Sequence, residues 1–281
     1  MIVVTGATGN VGRPLVQSLT GAGEEVRAVS RRSPEYGLPE GVRHFPVDLA
    51  DAESLRPVLE GADTLFLCPS GELLVSAGSP EALVKTAQSA GVERIVLLSS
   101  QASQTRPQAM SHARLREFEN VLIGSGVSTT ILRPGGFASN TYAYVPTVKS
   151  DRTVFAPFGD VGLPLIDPAD IAEVASVALR DSSHAGNTYV LTGPARISPR
   201  EQAAAIGEAI GAELKFVELT REQALGTMLE FMPEPVAEGT LDILGTPTDE
   251  ELAVSPDVEK VLGRAPFSYA EWAKRNSFVF Q

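Results

Sequence analysis

Glycines stand at positions 6, 9 and 12 of TGATGNVGR, residues 5–13, between the apolar run Ile2-Val3-Val4 and an amphipathic stretch. A strand that turns sharply into a helix with its backbone against a diphosphate needs positions without a Cβ. The unpaired N–H groups of the helix N-terminus then bind the anion. Gly6 is expected to serve the turn, Gly9 the close approach and Gly12 the packing of helix on strand, with Thr5, Thr8, Asn10 and Val11 completing the loop. A second signal lies in VRAVSRR, residues 26–32. A carboxylate at the end of the second strand would hydrogen-bond the ribose 2′-OH of NAD, and Ser30, Arg31 and Arg32 stand there instead. Two guanidiniums suit a 2′-phosphate, which favours NADP(H); the alternative is a solvated basic pair on a loop. Asp48-Leu49 is placed either to contact the adenine side or, through Asp48, to cap the helix that follows.

These residues need a frame. Short β-branched runs alternate with longer segments of helical period, which predicts a doubly wound α/β fold: a parallel sheet with helices on both faces. Strands are expected at Ile2–Thr5, Val26–Ser30, Arg43–Val47, Thr64–Cys68, Arg94–Ser99 and Ser128–Arg133. Val11, Leu15, Val16 and Leu19 make one helical stripe, with Pro14 harmless in the first turn; Ala82, Leu83, Ala87 and Ala90 make another. Pro57 lies inside an apolar pattern, so that helix should be short or kinked. Asp167-Pro168-Ala169-Asp170 reads as an N-cap, a proline at the first helical position and an acid in the first turn. Past Gly186 the alternation stops. A strand at Thr188–Leu191, a helix at Pro199–Ile210 and a strand at Leu214–Leu219 suggest a smaller C-terminal α/β lobe. We therefore expect a nucleotide-binding domain over 1–186 and a substrate lobe over 187–281, interleaved about an approximate boundary.

Composition narrows the function. With 281 residues and 43% hydrophobic content the chain can bury one good core and a smaller annex. No apolar run approaches the roughly 20 residues of a membrane span, and no basic leader precedes the first strand, so a cytoplasmic chain is expected. A net charge of −12 argues against a nucleic-acid partner, whose phosphates demand Lys and Arg. The single cysteine, Cys68, sits in the apolar run TLFLC and reads as a small buried hydrophobe. A homodimer is left open.

TGATGNVGR, VRAVSRR, VDLADAESL, SGVSTTILRPGGFASN, IDPADIA and NTYVLTGP together resemble the NmrA-like branch of the atypical short-chain dehydrogenase/reductases, strongly to about residue 193 and loosely beyond. The resemblance implies a Rossmann-type domain with a C-terminal substrate lobe. It also implies a choice between NAD(P)H-dependent reductases of quinones, azo dyes and related compounds and redox-sensing regulators without catalysis. Hydride transfer to a carbonyl leaves an oxygen that needs a proton, and short-chain enzymes commonly supply it with a Tyr-x-x-x-Lys pair. That pair is missing, for no tyrosine lies between Tyr36 and Tyr142.

In the matching stretch, SHARLREFENVLIGSG, His112 and Arg116 hold the same four-residue spacing, so His112 is a candidate proton donor whose pKa Arg116 would lower. Ser99 or Ser100 could bind the acceptor oxygen, while the bland alternative has His112 at the helix start and Arg116 on the surface. Pro69 and Ser70 are expected beside the cofactor, with Gly135, Phe137, Asn140, Tyr142 and Tyr144 toward the substrate, although Phe137 could equally be core. Met228, Phe231 and Met232 either cover the pocket or form plain core. A site without tyrosine favours an easily reduced acceptor, because a reduced quinone is stable enough to be protonated by water. The readings that follow are a reductase of a small molecule, an NADP(H) sensor whose acidic surface meets a basic partner, and, third, an isomerase or cyclase.

Overall fold

The computed structural model describes residues 1–33, 37–70, 72–75 and 78–281. Its strands are β1 (Ile2–Thr5), β2 (Val26–Ser30), β3 (Arg43–Pro46), β4 (Thr64–Leu67), β5 (Arg94–Leu98), β6 (Ser128–Pro134), β7 (Thr153–Pro157), β8 (Thr188–Leu191) and β9 (Lys215–Leu219). Seven of them form one parallel sheet in the order β3-β2-β1-β4-β5-β6-β8. Side chains alternate between faces along a strand, and here both faces are covered. Val3, Leu65, Leu67, Ile95 and Leu97 enter one apolar cluster, whereas Val4, Phe66, Val96 and Leu132 enter the other. That is why the strands read as unbroken apolar runs. Each fully buried Leu or Phe contributes about 2 kcal/mol.

The helix Gly12–Gly21 buries Leu15, Val16 and Leu19 on one side, toward the helix Pro168–Arg180. The second of these begins as its sequence suggests: the Asp167 carboxylate accepts from the Ala169 N–H at 2.8 Å. The helix containing Pro57 spans only Ala52–Leu59. Cys68 is half-buried at the end of β4, where burial pushes its thiol up to about 11, so it stays protonated.

Two elements differ from the sequence reading. The strand Thr188–Leu191, expected in the smaller lobe, instead extends the main sheet beside β6. The lobe has a sheet of its own made of β7 and β9, and β7, at Thr153–Pro157, was not anticipated. Its TVFAP has only one strongly apolar alternation and follows a helix directly, so the segment carries little period-2 signal. The lobe core gathers Tyr269, Trp272 and Phe280 around Val148, Val154 and Ile206. It is tied to the main domain by ion pairs of Arg264 with Asp170 at 2.8 Å and of Arg275 with Asp167, and both guanidiniums stack on Phe267.

Candidate functional site

β1 ends at Thr5, and the chain turns at Gly6, whose φ of +64° lies in the left-handed region that favours glycine. A Cβ on Gly12 would stand 2.1 Å from the Gly6 carbonyl oxygen, so helix and turn touch where only glycine fits. A Cβ on Gly9 would meet nothing but that same oxygen, at 3.2 Å, and would otherwise project into open space. The N–H groups of Asn10 and Val11 carry no hydrogen bond to the described residues, which leaves the helix N-terminus ready for an anion. A turn locked at Gly6 and Gly12, with an open face at Gly9 and unpaired N–H groups at its edge, fits a dinucleotide diphosphate.

Beyond the cradle runs a cleft of about 370 Å³ lined by Gly6, Thr8, Gly9, Arg31, Arg32, Asp48, Leu49 and Ser70, which brings together eight of the expected cofactor residues. Asp48 faces this cleft and also accepts from the Ala50 N–H at 3.0 Å, while the helix cap proper is Asp51. Four other expected residues sit differently. The Thr5 hydroxyl is fully buried and stitches β1 to β4, donating to the Phe66 carbonyl at 2.9 Å and accepting from the Cys68 N–H at 2.8 Å. The Val11 side chain lies in the core, leaving only its backbone to offer. The Asn10 amide points the other way, donating to Ser139 Oγ at 3.1 Å. Pro69 is buried, and its neighbour Cys68 takes the place on the cleft wall.

Sequence reasoning missed two contributors here. Arg13 shares a second hollow with Arg32, so guanidiniums from the first helix and from the loop after β2 converge on one region. Its position directly after Gly12 was a usable signal. His44 on β3 lies with Nε2 2.8 Å from Ser30 Oγ, and that hydroxyl donates to the Arg32 carbonyl at 2.8 Å, which fixes the basic loop. Only the strand register, which seats His44 beside Ala28, reveals this.

At the carboxyl ends of β5 and β6 a cavity of about 380 Å³ gathers Ser99, Ser100, His112, Gly135, Phe137 and Asn140. Phe137 serves both roles weighed for it, lining the cavity and packing on the core. Tyr142 is not part of this wall: its phenol donates to Asn276 at 2.8 Å and its ring tilts against Trp272, on the far side of the 138–144 turn. Tyr144 does not line it either, its phenol pushed up to about 12 by burial.

Ser99 is 6% exposed and its hydroxyl is spent, donating to Glu119 at 2.5 Å. Glu119 is held from behind by two bonds from Arg133, at 3.0 and 2.6 Å. Ser100 is the freer hydroxyl: its oxygen accepts from the Ala102 N–H at 3.2 Å and its proton has no acceptor among the described residues. The His112 ring lines the cavity with Nδ1 at 2.9 Å from Ser111 Oγ. Burial lowers its pKa from 6.5, and the nearby Arg116 lowers it further against the pull of Glu251, so near neutrality the ring is uncharged. Arg116 itself braces the chain before the helix, donating to the carbonyls of Arg106 and Ala109 at 3.2 and 2.7 Å.

Met228, Phe231 and Met232, weighed as a cover or as plain core, do not form the roof. Phe231 is 69% exposed, and the cavity is covered instead by Thr240, Ile243 and Leu244 from the helix Glu234–Gly245 and by Glu251. A clasp holds this roof: both Glu251 oxygens accept from Arg106, at 2.9 and 2.8 Å, and one accepts from Thr105. Although burial opposes it, these bonds hold the Glu251 carboxyl below its ordinary range, so it is ionised. Glu251 also closes a capping box with Thr248, and its pairing with Arg106, 145 residues away, leaves no local signal in the sequence.

A cradle, a basic cleft and a further cavity along the carboxyl edge of a doubly wound sheet define a Rossmann-type nucleotide-binding protein with a second pocket. The chain belongs to the NmrA-like family, whose sequence model matches residues 1–256. It is 34% identical to the (4-alkanoyl-5-oxo-2,5-dihydrofuran-3-yl)methyl phosphate reductase of Streptomyces griseus, covering 100% of this chain and 99% of the relative. It is 30% identical to the NAD(P)H azoreductase of Xenophilus azovorans, again over 100% and 99%. Among solved structures, the NADPH-dependent quinone oxidoreductase of Escherichia coli in complex with NADPH superimposes with a TM-score of 0.79 at 23% identity, covering 98% of this chain and 99% of that one. Among the described residues no helix is long and apolar enough to cross a membrane.

Proposed function

We propose that this protein is an NADPH-dependent oxidoreductase acting on a small, readily reduced acceptor such as a quinone or an enone. When bound, the cofactor supplies the hydride. Gly6, Gly9 and the N–H groups at the helix start hold its diphosphate, and Arg31 and Arg32, with Arg13 alongside, hold its 2′-phosphate. The relatives support the reading, since one is named for an oxo-dihydrofuran and the other for azo compounds, both conjugated acceptors.

The observation that carries the choice of acceptor is the cavity wall: it contains no tyrosine and no lysine among the described residues. A simple ketone needs a strong proton donor in the transition state, and the groups here are a neutral imidazole and the Ser100 hydroxyl, which orient an oxygen by hydrogen bonding. A quinone or enone accepts under those terms because its reduced form spreads the negative charge. Asn140, which is exposed, adds a further polar side chain to the cavity lining. The test is NADPH oxidation followed by absorbance against a panel of quinones, enones and ketones. Quinones and enones are expected to be reduced; reduction of ketones alone overturns the reading.

A further inference from the structure

The charge lining the acceptor cavity is unusual for a protein with so many arginines nearby. No Lys or Arg lines it among the described residues, and its one formal charge is the Glu251 carboxylate, 4% exposed. The neighbouring cations are committed elsewhere. Arg106 directs Nε and Nη2 at Glu251 and at the Thr246 carbonyl; Arg116 braces two carbonyls; Arg133 is bound to Glu119. Several backbone donors along the wall are spent on the fold as well. The N–H groups of Ser99, Gln101 and Gly135 donate to the carbonyls of Leu132, Pro134 and Leu191 at 2.8–2.9 Å, and that of Ala102 to Ser100 Oγ. The Ser100 hydroxyl and the N–H groups of Ser100, Gly136 and Phe137 have no acceptor among the described residues, but they are neutral donors, and an anion taken out of water needs a cation beside them.

We infer that the acceptor taken by this cavity is uncharged, and that an anionic substituent on it is rejected. The inference rests on the proposed function for the identity of the cavity as acceptor site, and it narrows the substrate class. A phosphate or sulfonate brought inside gives up its water, meets no cation and lies beside Glu251. The Streptomyces griseus relative, named for a phosphate ester, is thereby separated from this chain in substrate class despite 34% identity. A neutral planar acceptor gives up little water and gains the apolar roof of Ile243 and Leu244.

The test compares 1,4-naphthoquinone with its 2-sulfonate, binding each to the protein saturated with NADP⁺, which cannot reduce either, by isothermal calorimetry. The neutral quinone is expected to bind at least tenfold more tightly, on the order expected for an unpaired desolvated anion. Thr240→Lys, or Ile243→Lys should the first variant melt early, places an ammonium in the roof and is expected to bring the sulfonate to within about threefold of the neutral compound. Sulfonate binding as tight as the neutral quinone in the unaltered protein overturns the inference, and so does binding of neither. Turnover with NADPH is read separately. Reduction of both compounds at equal kcat/KM leaves the proposed function standing and removes the charge rule; selective binding without any turnover does the reverse.

Discussion

Gly9 and Gly12 differ in what a methyl group would strike, and that difference can be measured. On Gly12 it would lie 2.1 Å from the Gly6 oxygen, 2.7 Å from the Gly6 carbonyl carbon and 2.8 Å from the Ala7 Cα. All three are backbone atoms, and the Gly6 oxygen already accepts from the Gly9 N–H at 2.9 Å, so relief requires opening the turn. Overpacking of this kind costs about 1–3 kcal/mol and the lost turn bond about 1 more, so Gly12→Ala should destabilise the ligand-free protein by roughly 3 kcal/mol. For a chain of this size that is a fall of roughly 6–12 °C in Tm. On Gly9 the methyl is 3.2 Å from one oxygen and otherwise free, so Gly9→Ala should melt within about 2 °C of the unaltered protein. It fills the surface on which the diphosphate lies, however, and should weaken NADPH binding by at least about tenfold, through lost N–H contacts to a charged group. Thermal melts without ligand and a fluorescence titration with NADPH read the two effects apart. If Gly12→Ala melts with the unaltered protein, or Gly9→Ala binds NADPH undiminished, the cradle does not work as described.

Three further outcomes follow from the same geometry. Arg31→Ala and Arg32→Ala should each weaken NADPH binding about tenfold while leaving NADH unchanged, the loss of one charge-assisted contact; equal losses for both nucleotides in a titration refute the assignment. His112 titrates below 6.5 in the folded protein, whereas the unfolded chain binds the proton near 6.5. Its contribution to stability is therefore complete above that value and is lost as pH falls through the folded pKa, so His112→Gln should lessen the decline in Tm between about pH 5 and 6.5, and identical profiles would count against it. Arg106→Met leaves the buried Glu251 carboxylate unpaired, which should cost about 3 kcal/mol and raise KM for the quinone without changing the Kd for NADPH; an unaltered KM would show that the clasp does not shape the cavity.

Legibility tracked sequence distance. Every strand expected in the first 134 residues is present within a residue or so of its bounds, because burial on both faces leaves a continuous apolar run that turns must punctuate. The phosphate loop was readable for the same local reason: three glycines, one turn and one helix start lie within eight residues. Orientation was harder. Thr5, Asn10 and Ser99 were expected to face ligand, and their side chains instead join Phe66, Ser139 and Glu119, partners 61, 129 and 20 residues away. β8 reads as a strand in isolation, but only pairing assigns it to the main sheet. The roof was invisible, since Thr240, Ile243 and Leu244 cover Ser100 only once Arg106 has met Glu251 across 145 residues. The Met228-Phe231-Met232 trio reads as plain core or as a cover, and exposure of Phe231 shows how weak an apolar triplet is without its partner surface.

The polar groups around the cavity point to one consistent chemistry. Ser99 stands where a short-chain enzyme would hold the acceptor oxygen, yet its proton is committed to a glutamate that an arginine keeps in place. Freeing that proton would take from the buried Glu119 one of the bonds that complement Arg133, so Ser99 is fixed as part of the wall. His112 is held neutral by burial and by Arg116, which makes it a donor of one hydrogen bond and a poor source of a proton at pH 7. Each missing acid is thus compensated by rigidity: the wall can hold an oxygen in place but cannot neutralise it. On the function proposed above, an acceptor whose reduced form spreads its charge over a conjugated framework needs no more than that, because water can supply the proton.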